Sequence, residues 1–244
     1  MSRVDREPAH IGIACTPGHP VFSVVADALS ARGHETTYLD PTGPIDRDTL
    51  ASLSLFVSKH TRPATVRALI DAERLGVPTW NSATGVQACA SRFSQLSVLE
   101  GVGFAVPEAS REKPDGDYVA KGLFHWDETI EVNGDGDLYE TLLPADPVDY
   151  KYYSVDDGQH RRTVVLRATS KLEGEKTVLG RAEPLPEHVA RIESLMALLD
   201  MRSLGVDLLC ADETWYAVDL NPCPSFVGTG LEDALVASIE SSLG

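Results

Sequence analysis

The stretch YAVDLNPCPSF, residues 216–226, alternates apolar Val218 and Leu220 with Asp219 and Asn221, then runs into a loop holding two prolines. That alternation has the period of a half-buried strand. A second apolar run, GVDLL (205–209), precedes it across the turn-like ADET (211–214). Folding the two segments about Glu213 pairs Asp207 with Asp219, Val206 with Leu220 and Leu208 with Val218. One side of the ribbon is then apolar, and Asp207, Asp219 and Asn221 share the other. Directly opposed carboxylates have Cβ atoms about 4.5–5.5 Å apart and repel unless something positive lies between them. Oxygen donors of this kind suit a hard divalent cation, magnesium first and manganese as its substitute, whose shell is completed by water and phosphate oxygens. A solvated acidic face at a sheet edge is the competing reading.

Isolated cations stand upstream. Lys121 closes DYVAK, Lys151 lies inside DYKYY, and Arg167 and Lys171 belong to RATSK. Each alone reads as a solvated side chain; together, on strands of one antiparallel unit, they make a phosphate clamp. The chain has neither GxxxxGK[ST] nor GxGxxG, so a triphosphate would be held without a glycine-rich phosphate loop.

The N-terminal part has a different texture. Short apolar runs (IGIAC, ETTYL, LSLFVSK, VPTWN) alternate with helical patterns (VFSVVADALSARG, PATVRALIDAERLG), which predicts a doubly wound parallel α/β domain over residues 1–82. Helical spacing continues through SATGVQACASRFSQLSVLEG. From Asp135 onward, strands joined by tight turns predict antiparallel sheet, with a helix over 186–203. The fold class is therefore mixed: an α/β domain followed by α+β parts spanning 83–135 and 136–244.

Of 244 residues, 43% are hydrophobic, enough to supply a core, and the formal charge is −16 with a pI near 4.7. Such a balance argues against nucleic acid as a partner, because polyanions need a basic face. Six lysines stand against fifteen arginines, a composition that suits either a salt-rich cytoplasm or an ordinary acidic surface. No apolar run approaches the roughly 20 residues needed to span a bilayer, and the polar start MSRVDREPAH places the protein in the cytoplasm, without a membrane partner. Four scattered cysteines form no CxxC pair, and neither a zinc site nor a disulfide framework is indicated. Oligomeric state is left open, a dimer included.

Taken in order, the α/β unit, NSATGVQACASRFSQLSVLEGVGFAVPE, VAK, YETLL, YKYY, VVLRATSK, GVDLL and AVDLNPCPSF resemble the ATP-grasp superfamily over nearly the whole chain. The Asp, then Asp-x-Asn with a Pro-containing loop, resembles the branch of ribosomal-protein glutamate ligases and inositol trisphosphate 5/6-kinases. The resemblance implies ATP and magnesium as cofactors and Asp207, Asp219 and Asn221 as metal ligands. It places Arg92 where the family usually has a lysine, and Lys121 where a lysine contacts the phosphates. Glu140, Thr141, Leu142 and Leu143 fall in the hinge strand beside adenine, with Lys171 as a further nucleotide contact. Lys151 and Arg167 fall where cations meet phosphate or the reacting acyl group. The family's glycine-rich lid is not matched by KGLFHWDETIEVNGDGD, in which His125 is a candidate.

Past the loop, Thr229 and Glu232 have the spacing of a capping box before LEDALVASIESS, which makes Ser225, Gly228 and Thr229 candidate substrate or phosphate contacts. Lys59, with His60 and Arg62, sits where an open α/β sheet binds ligands and would suit a small acidic substrate. An ATP-dependent ligase joining a carboxylate to an amine or thiol through an acylphosphate is the first functional reading. A kinase acting on a polyol or inositol phosphate is the second, with Arg161, Arg162, Arg167, Lys171, Lys176 and Arg181 as its cationic patch. A nucleotide-binding module without turnover is the third.

Overall fold

A computed structural model describes residues 7–127, 129–170, 172, 174 and 177–243. The N-terminal unit comprises β1 (His10–Ala14), α1 (Phe22–Ala31), β2 (Glu35–Leu39), α2 (Arg47–Ala51), β3 (Leu55–Ser58), α3 (Pro63–Arg74) and β4 (Thr79–Trp80). Its four strands pair in parallel in the order β2-β1-β3-β4. α1 buries Phe22, Val25, Ala26 and Leu29, one stripe at helical spacing, against Ile11 and Ile13 of the sheet. α3 starts with Pro63, whose missing N–H is harmless at a helix's first position.

Asn81, 2% exposed, fastens this unit to the remainder. Its amide donates to the carbonyls of Ser203 (2.7 Å) and Pro222 (2.9 Å), and its oxygen accepts from the N–H groups of Arg202 (2.6 Å) and Ser203 (2.9 Å). All four groups would be orphaned in a dry setting without it.

The continuous helical spacing read over residues 82–101 breaks into α4 (Ala83–Ala88) and α5 (Arg92–Gly101). A second sheet follows, built from β5 (Ala109–Ser110), β6 (Tyr118–Lys121), β7 (Ile130–Val132) and β8 (Leu138–Thr141), antiparallel in the order β5-β8-β6-β7. Since β8 bonds to β6, a boundary drawn at residue 135 cuts this sheet in two; the division of sheets falls after Thr141. At Gly136 a Cβ would stand 2.7 Å from the Lys121 carbonyl oxygen, so only glycine lets the chain turn back so close to β6.

The third sheet contains β9 (Val148–Asp156), β10 (Arg161–Thr169), β11 (Val178–Ala182), then, after α6 (Pro186–Leu198), β12 (Ser203–Ala211) and β13 (Thr214–Asn221); α7 (Glu232–Ser241) ends the chain. Its order is β11-β10-β9-β12-β13, antiparallel throughout. One face carries Tyr152, Val165, Val206, Leu208 and Leu220 onto Ile192, Leu195 and Met196 of α6. The opposite face carries Tyr153, Val155 and Leu166 onto Phe226 and α7, and through them onto α1. The same face, further along, is free of this packing and holds the charged residues described next.

Candidate nucleotide and metal site

The β12–β13 hairpin sets the geometry. Asp207 pairs with Asp219, Val206 with Leu220 and Gly205 with Asn221, which is the register of a fold about Glu213. Beyond Asp219 the register shifts by one. Leu208 faces Ala217 rather than Val218, and Asp212 and Glu213 form a two-residue turn with φ of 47° and 64°. Val218 is left unpaired, a β-bulge, and instead of joining the apolar side it lines the site cavity beside Asp219. Its carbonyl accepts from Lys121 Nζ at 3.0 Å.

Each carboxylate meets a cation from outside the hairpin. Lys151 is the register partner of Asp207 on β9, and its Nζ donates to Asp207 Oδ2, with Asp149 3.4 Å away. Burial works against the Lys151 charge, yet Asp207 and Asp149 raise its ammonium above the ordinary lysine range. Arg92, the first residue of α5, reaches over β13 and donates from Nη1 to Asp219 Oδ1 at 2.8 Å. Burial opposes ionisation of Asp219, but His125, Arg92, Lys121 and Lys151 outweigh it and hold the carboxyl below the usual carboxylate range. The Asp219 side chain keeps 26% of its surface exposed. Lys121 pairs with Glu140 at 2.7 Å, the two side chains only 8% and 4% exposed.

Arg92, Lys121, Lys151, Asp207 and Asp219 line a cavity of about 420 Å³, together with the apolar side chains of Val119, Ile130, Leu142, Leu143 and Leu209. Of the residues read from the sequence, Arg92, Lys121, Glu140, Thr141, Leu142, Leu143, Lys151, Asp207 and Asp219 all line this one cavity.

Others are placed elsewhere. Arg167 pairs with Tyr150 on β9, one residue out of step with Lys151, so it projects from the opposite face of the sheet, and it is absent from the cavity lining. Arg181 shares the Lys151 face as the partner of Leu166, and its guanidinium donates to the Thr229 carbonyl at 2.8 Å. Sequence reading had it only as one of six patch cations, because the β10–β11 bulge that sets its direction has no signature in residue type. Arg161 and Arg162 are taken up by Asp156 and Asp157. Lys171 and Lys176 lie outside the described residues.

Asn221 stands on the Asp219 side of β13, next to the cavity but not in its lining; its Oδ1 accepts from the Cys223 N–H at 2.9 Å. The capping box does not form. α7 begins at Glu232 without a side-chain cap, and Thr229, 1% exposed, gives its hydroxyl to the Phe226 carbonyl at 2.7 Å. Thr229 thus shapes the turn, Gly228 supplies its φ of +79°, and Ser225 is half-buried.

Of the unmatched lid segment, Ile130–Val132 is β7, and residues 122–127 form a loop held by backbone hydrogen bonds. Arg92 N–H donates to Leu123 O (2.8 Å), His125 N–H to Ala90 O (2.9 Å) and Gly122 N–H to Thr129 O (3.1 Å), while Phe124 and Trp126 stack at 4.6 Å. The loop brings His125 Nε2 to 3.9 Å from Asp219 Oδ2, too long for a hydrogen bond. That nitrogen and Arg92 Nε are buried without a partner. Burial lowers the His125 pKa against the opposing pull of Asp219.

A divalent cation fits this set. Asp207 and Asp219 are opposed, partly exposed in the cavity, with the Asn221 amide one step along the same side. Two carboxylates of this kind suit a metal that finishes its shell with phosphate oxygens and water; among the described residues no group of three His, Cys, Asp or Glu side chains gathers.

No family model and no curated protein matches the sequence. Solved structures do match the fold. A RimK domain ATP-grasp protein from Sphaerobacter thermophilus superposes with a TM-score of 0.72 at 16% identity, over 97% of this chain and 100% of that one. D-alanine–D-alanine ligase from Bacillus anthracis gives 0.67 at 12% identity, over 97% of each chain. The ATP-grasp ligase PsnB, solved with a phosphomimetic precursor variant, Mg and ADP, gives 0.64 at 17% identity, over 95% and 99%. The chain has the ATP-grasp fold, in the form of an N-terminal parallel α/β unit followed by two antiparallel sheets. No helix among the described residues is long and apolar enough to cross a membrane.

Proposed function

We propose that the protein is an ATP- and magnesium-dependent ligase that joins a carboxylate to an amine or thiol through an acylphosphate. The observation that carries the reading is the meeting of Asp207 and Asp219 with Arg92, Lys121 and Lys151 in one cavity that apolar side chains also line. The apolar side chains suit an adenine ring, and the three cations suit a triphosphate. Structural neighbours with the same fold include a ligase that binds Mg and ADP and a D-alanine–D-alanine ligase.

Asp207, Asp219 and Asn221 would hold magnesium, or manganese in its place, and the bound ion supplies positive charge at the terminal phosphates. Arg92, Lys121 and Lys151 bind and orient those phosphates as their present carboxylate partners are given up. A substrate carboxylate oxygen then attacks the γ-phosphorus, the bond to the β-phosphate oxygen breaks, and ADP leaves with that electron pair. The amine or thiol next attacks the acyl carbon and releases inorganic phosphate. Positioning and charge stabilisation carry both steps, and no side-chain nucleophile is needed. Arg167 and Thr229 have no part in this scheme. Among the described members of the kinase reading's patch, Arg161 and Arg162 are paired with Asp156 and Asp157 and Arg181 binds a backbone carbonyl, which favours the ligase reading over it. An ATP-dependent reaction of this kind suits the cytoplasm, which we infer as its setting.

The test combines purified protein, ATP, Mg²⁺ and a metabolite panel with hydroxylamine. Hydroxamate formed together with ADP supports the ligase, a phosphorylated alcohol shifts the assignment to the kinase, and nucleotide binding without either product leaves a module without turnover. Asp219→Asn, which removes charge but little shape, is expected to abolish turnover in protein that still folds, with a lowered melting temperature because the enclosed Arg92 loses its counter-charge.

A further inference from the structure

Lys59 is the one described lysine without a carboxylate. Lys113 pairs with Asp135, Lys121 with Glu140, and Lys151 with Asp207 and Asp149. Lys59 instead donates to the Cys223 carbonyl oxygen at 2.5 Å. In a chain with 37 acidic and 21 basic residues, an ammonium in a crevice with no acid beside it needs a reason. A Lys is costly to enclose unless an anion meets it.

The crevice is defined by three segments. β1 and β3 end at Ala14 and Ser58, and the Lys59 N–H donates back to the Ala14 carbonyl at 3.1 Å. The third wall is the Asn221–Ser225 loop, whose Cys223 thiol donates to the Ser58 carbonyl at 3.4 Å. The first turns of α1 and α3 follow the same strand ends, and neither α1 nor α3 has a carboxylate in its first turn. His19 spends Nδ1 on the N–H groups of Val21 and Phe22, both at 3.2 Å, which leaves its other nitrogen as a donor. His19 and His60 are both held neutral, by burial first and by the Lys59 charge second. The charges at these strand ends are thus cationic, Lys59 and Arg62 both acting on His60.

A short series of side chains links Lys59 to the cluster of carboxylates. Thr61, buried two residues past Lys59, has its Oγ1 3.5 Å from His125 Nδ1, and His125 Nε2 is the partnerless nitrogen beside Asp219. A molecule lying along Lys59, Thr61 and His125 would therefore present its far end at Asp219.

We propose that Lys59 anchors the non-reacting anionic group of a small acidic substrate, carboxylate or phosphate, while the opposite end of that substrate lies against His125 at the Asp207–Asp219 cluster. The substrate class is thus a compound with an anionic group at one end and the reacting group at the other. This inference rests on the ATP-dependent reading of the cluster.

Isothermal titration tests it on full-length protein loaded with AMPPNP and Mg²⁺, which fills the nucleotide cavity and leaves the crevice as the anion site. Succinate and inorganic phosphate are the probes, and which one binds tells a carboxylate subsite from a phosphate subsite. One of them is expected to bind the wild type and to lose at least about 10-fold in affinity in Lys59→Met, the loss of one charge-assisted contact. Lys113→Met, at an exposed pair, is expected to bind as the wild type does. Should Lys59→Met not fold, reductive methylation of the wild type read by mass spectrometry takes its place: protection of Lys59 by the bound probe supports the subsite, and equal modification overturns it. The proposal also falls if neither probe binds, or if Lys59→Met binds unchanged. Failure of AMPPNP itself to bind would strike the nucleotide reading first, and so is told apart.

Discussion

Asp207 and Asp219 are close enough to repel, and Lys151 and Arg92 meet their charges. A metal must therefore compete with these two cations for the same carboxylates. A dication arriving alone must break two ion pairs and leave Lys151 and Arg92 enclosed with no counter-charge, which is strongly unfavourable. A triphosphate arriving with it takes over the cations and frees the acids. Metal and nucleotide are then coupled by a free energy of the usual allosteric size, about 1–3 kcal/mol. The expected result is Mn²⁺ binding that tightens by about 10-fold or more when ADP is present, followed by electron paramagnetic resonance. In Lys151→Met the nucleotide-free affinity should rise, since Asp207 is released; equal Mn²⁺ binding with and without ADP would refute the exchange. His60 gives a separate handle, on stability. Burial first, then Lys59, Arg62 and His19, push its pKa to about 4, whereas an unfolded histidine titrates near 6.5. Between those values the unfolded chain takes up a proton that the folded one refuses, so stability falls as pH is lowered through this window. His19 and His188, also depressed by burial, act with the same sign. Melting temperature should drop from pH 7 to pH 5, and His60→Gln should flatten the slope.

The β12–β13 hairpin carries the most chemistry per residue, and most of it could be read in advance. Alternation fixed the sides of Asp207, Asp219 and Asn221, because side chains on a strand must alternate. What alternation could not reveal was the bulge at Val218: one extra residue leaves the pattern on either side intact while moving the turn from a point at Glu213 to the pair Asp212–Glu213. Glu213 now holds φ of 64°, where a Cβ costs roughly 1–2 kcal/mol. Glu213→Gly relieves that strain at a smaller cost in chain entropy, and should raise the melting temperature by about 2 °C in scanning calorimetry. A drop would mean that the Glu213 side chain, not the backbone, sets the turn. Arg167 illustrates the opposite failing. Position in RATSK resembled a phosphate-binding cation, but one step of pleat places it behind the sheet, and only the pairing of Leu166 with Lys151 fixes which step is taken. Lys59 was legible as a strand-end cation, while its lack of a carboxylate neighbour depends on how the distant Asn221–Ser225 loop closes over it. The parallel unit was readable apart from α2, since its short apolar runs and helical stripes are local patterns, whereas the five residues of α2 bury only Leu50 and make no stripe. β5, β7 and β11 were not, for each is five residues or fewer and partly exposed.

The surplus of acids acts on all of these parts together. With a formal charge of −16, folding concentrates like charges that the unfolded chain spreads over a larger volume, and the compact state bears the repulsion. Raising salt from about 0.1 M to 1 M shortens the screening length from about 10 Å to about 3 Å, which removes most of the repulsion between exposed carboxylates. Salt also weakens exposed ion pairs such as Lys113–Asp135 and Arg162–Asp157, but pairs of that kind contribute only about 0–1 kcal/mol each. The enclosed pairs, Lys121–Glu140 and Arg92–Asp219, are shielded from dissolved ions and should change little. The balance therefore favours the folded state as salt rises. Potassium chloride is the right probe, because sulfate stabilises proteins of any charge by its exclusion from their surface. Melting temperature should climb steeply between 0.1 M and 0.5 M KCl and level off once the screening length falls below the spacing of surface charges. A flat or falling curve would mean that attraction within the surface network already cancels the surplus, and that the acidic composition is no adaptation to salt.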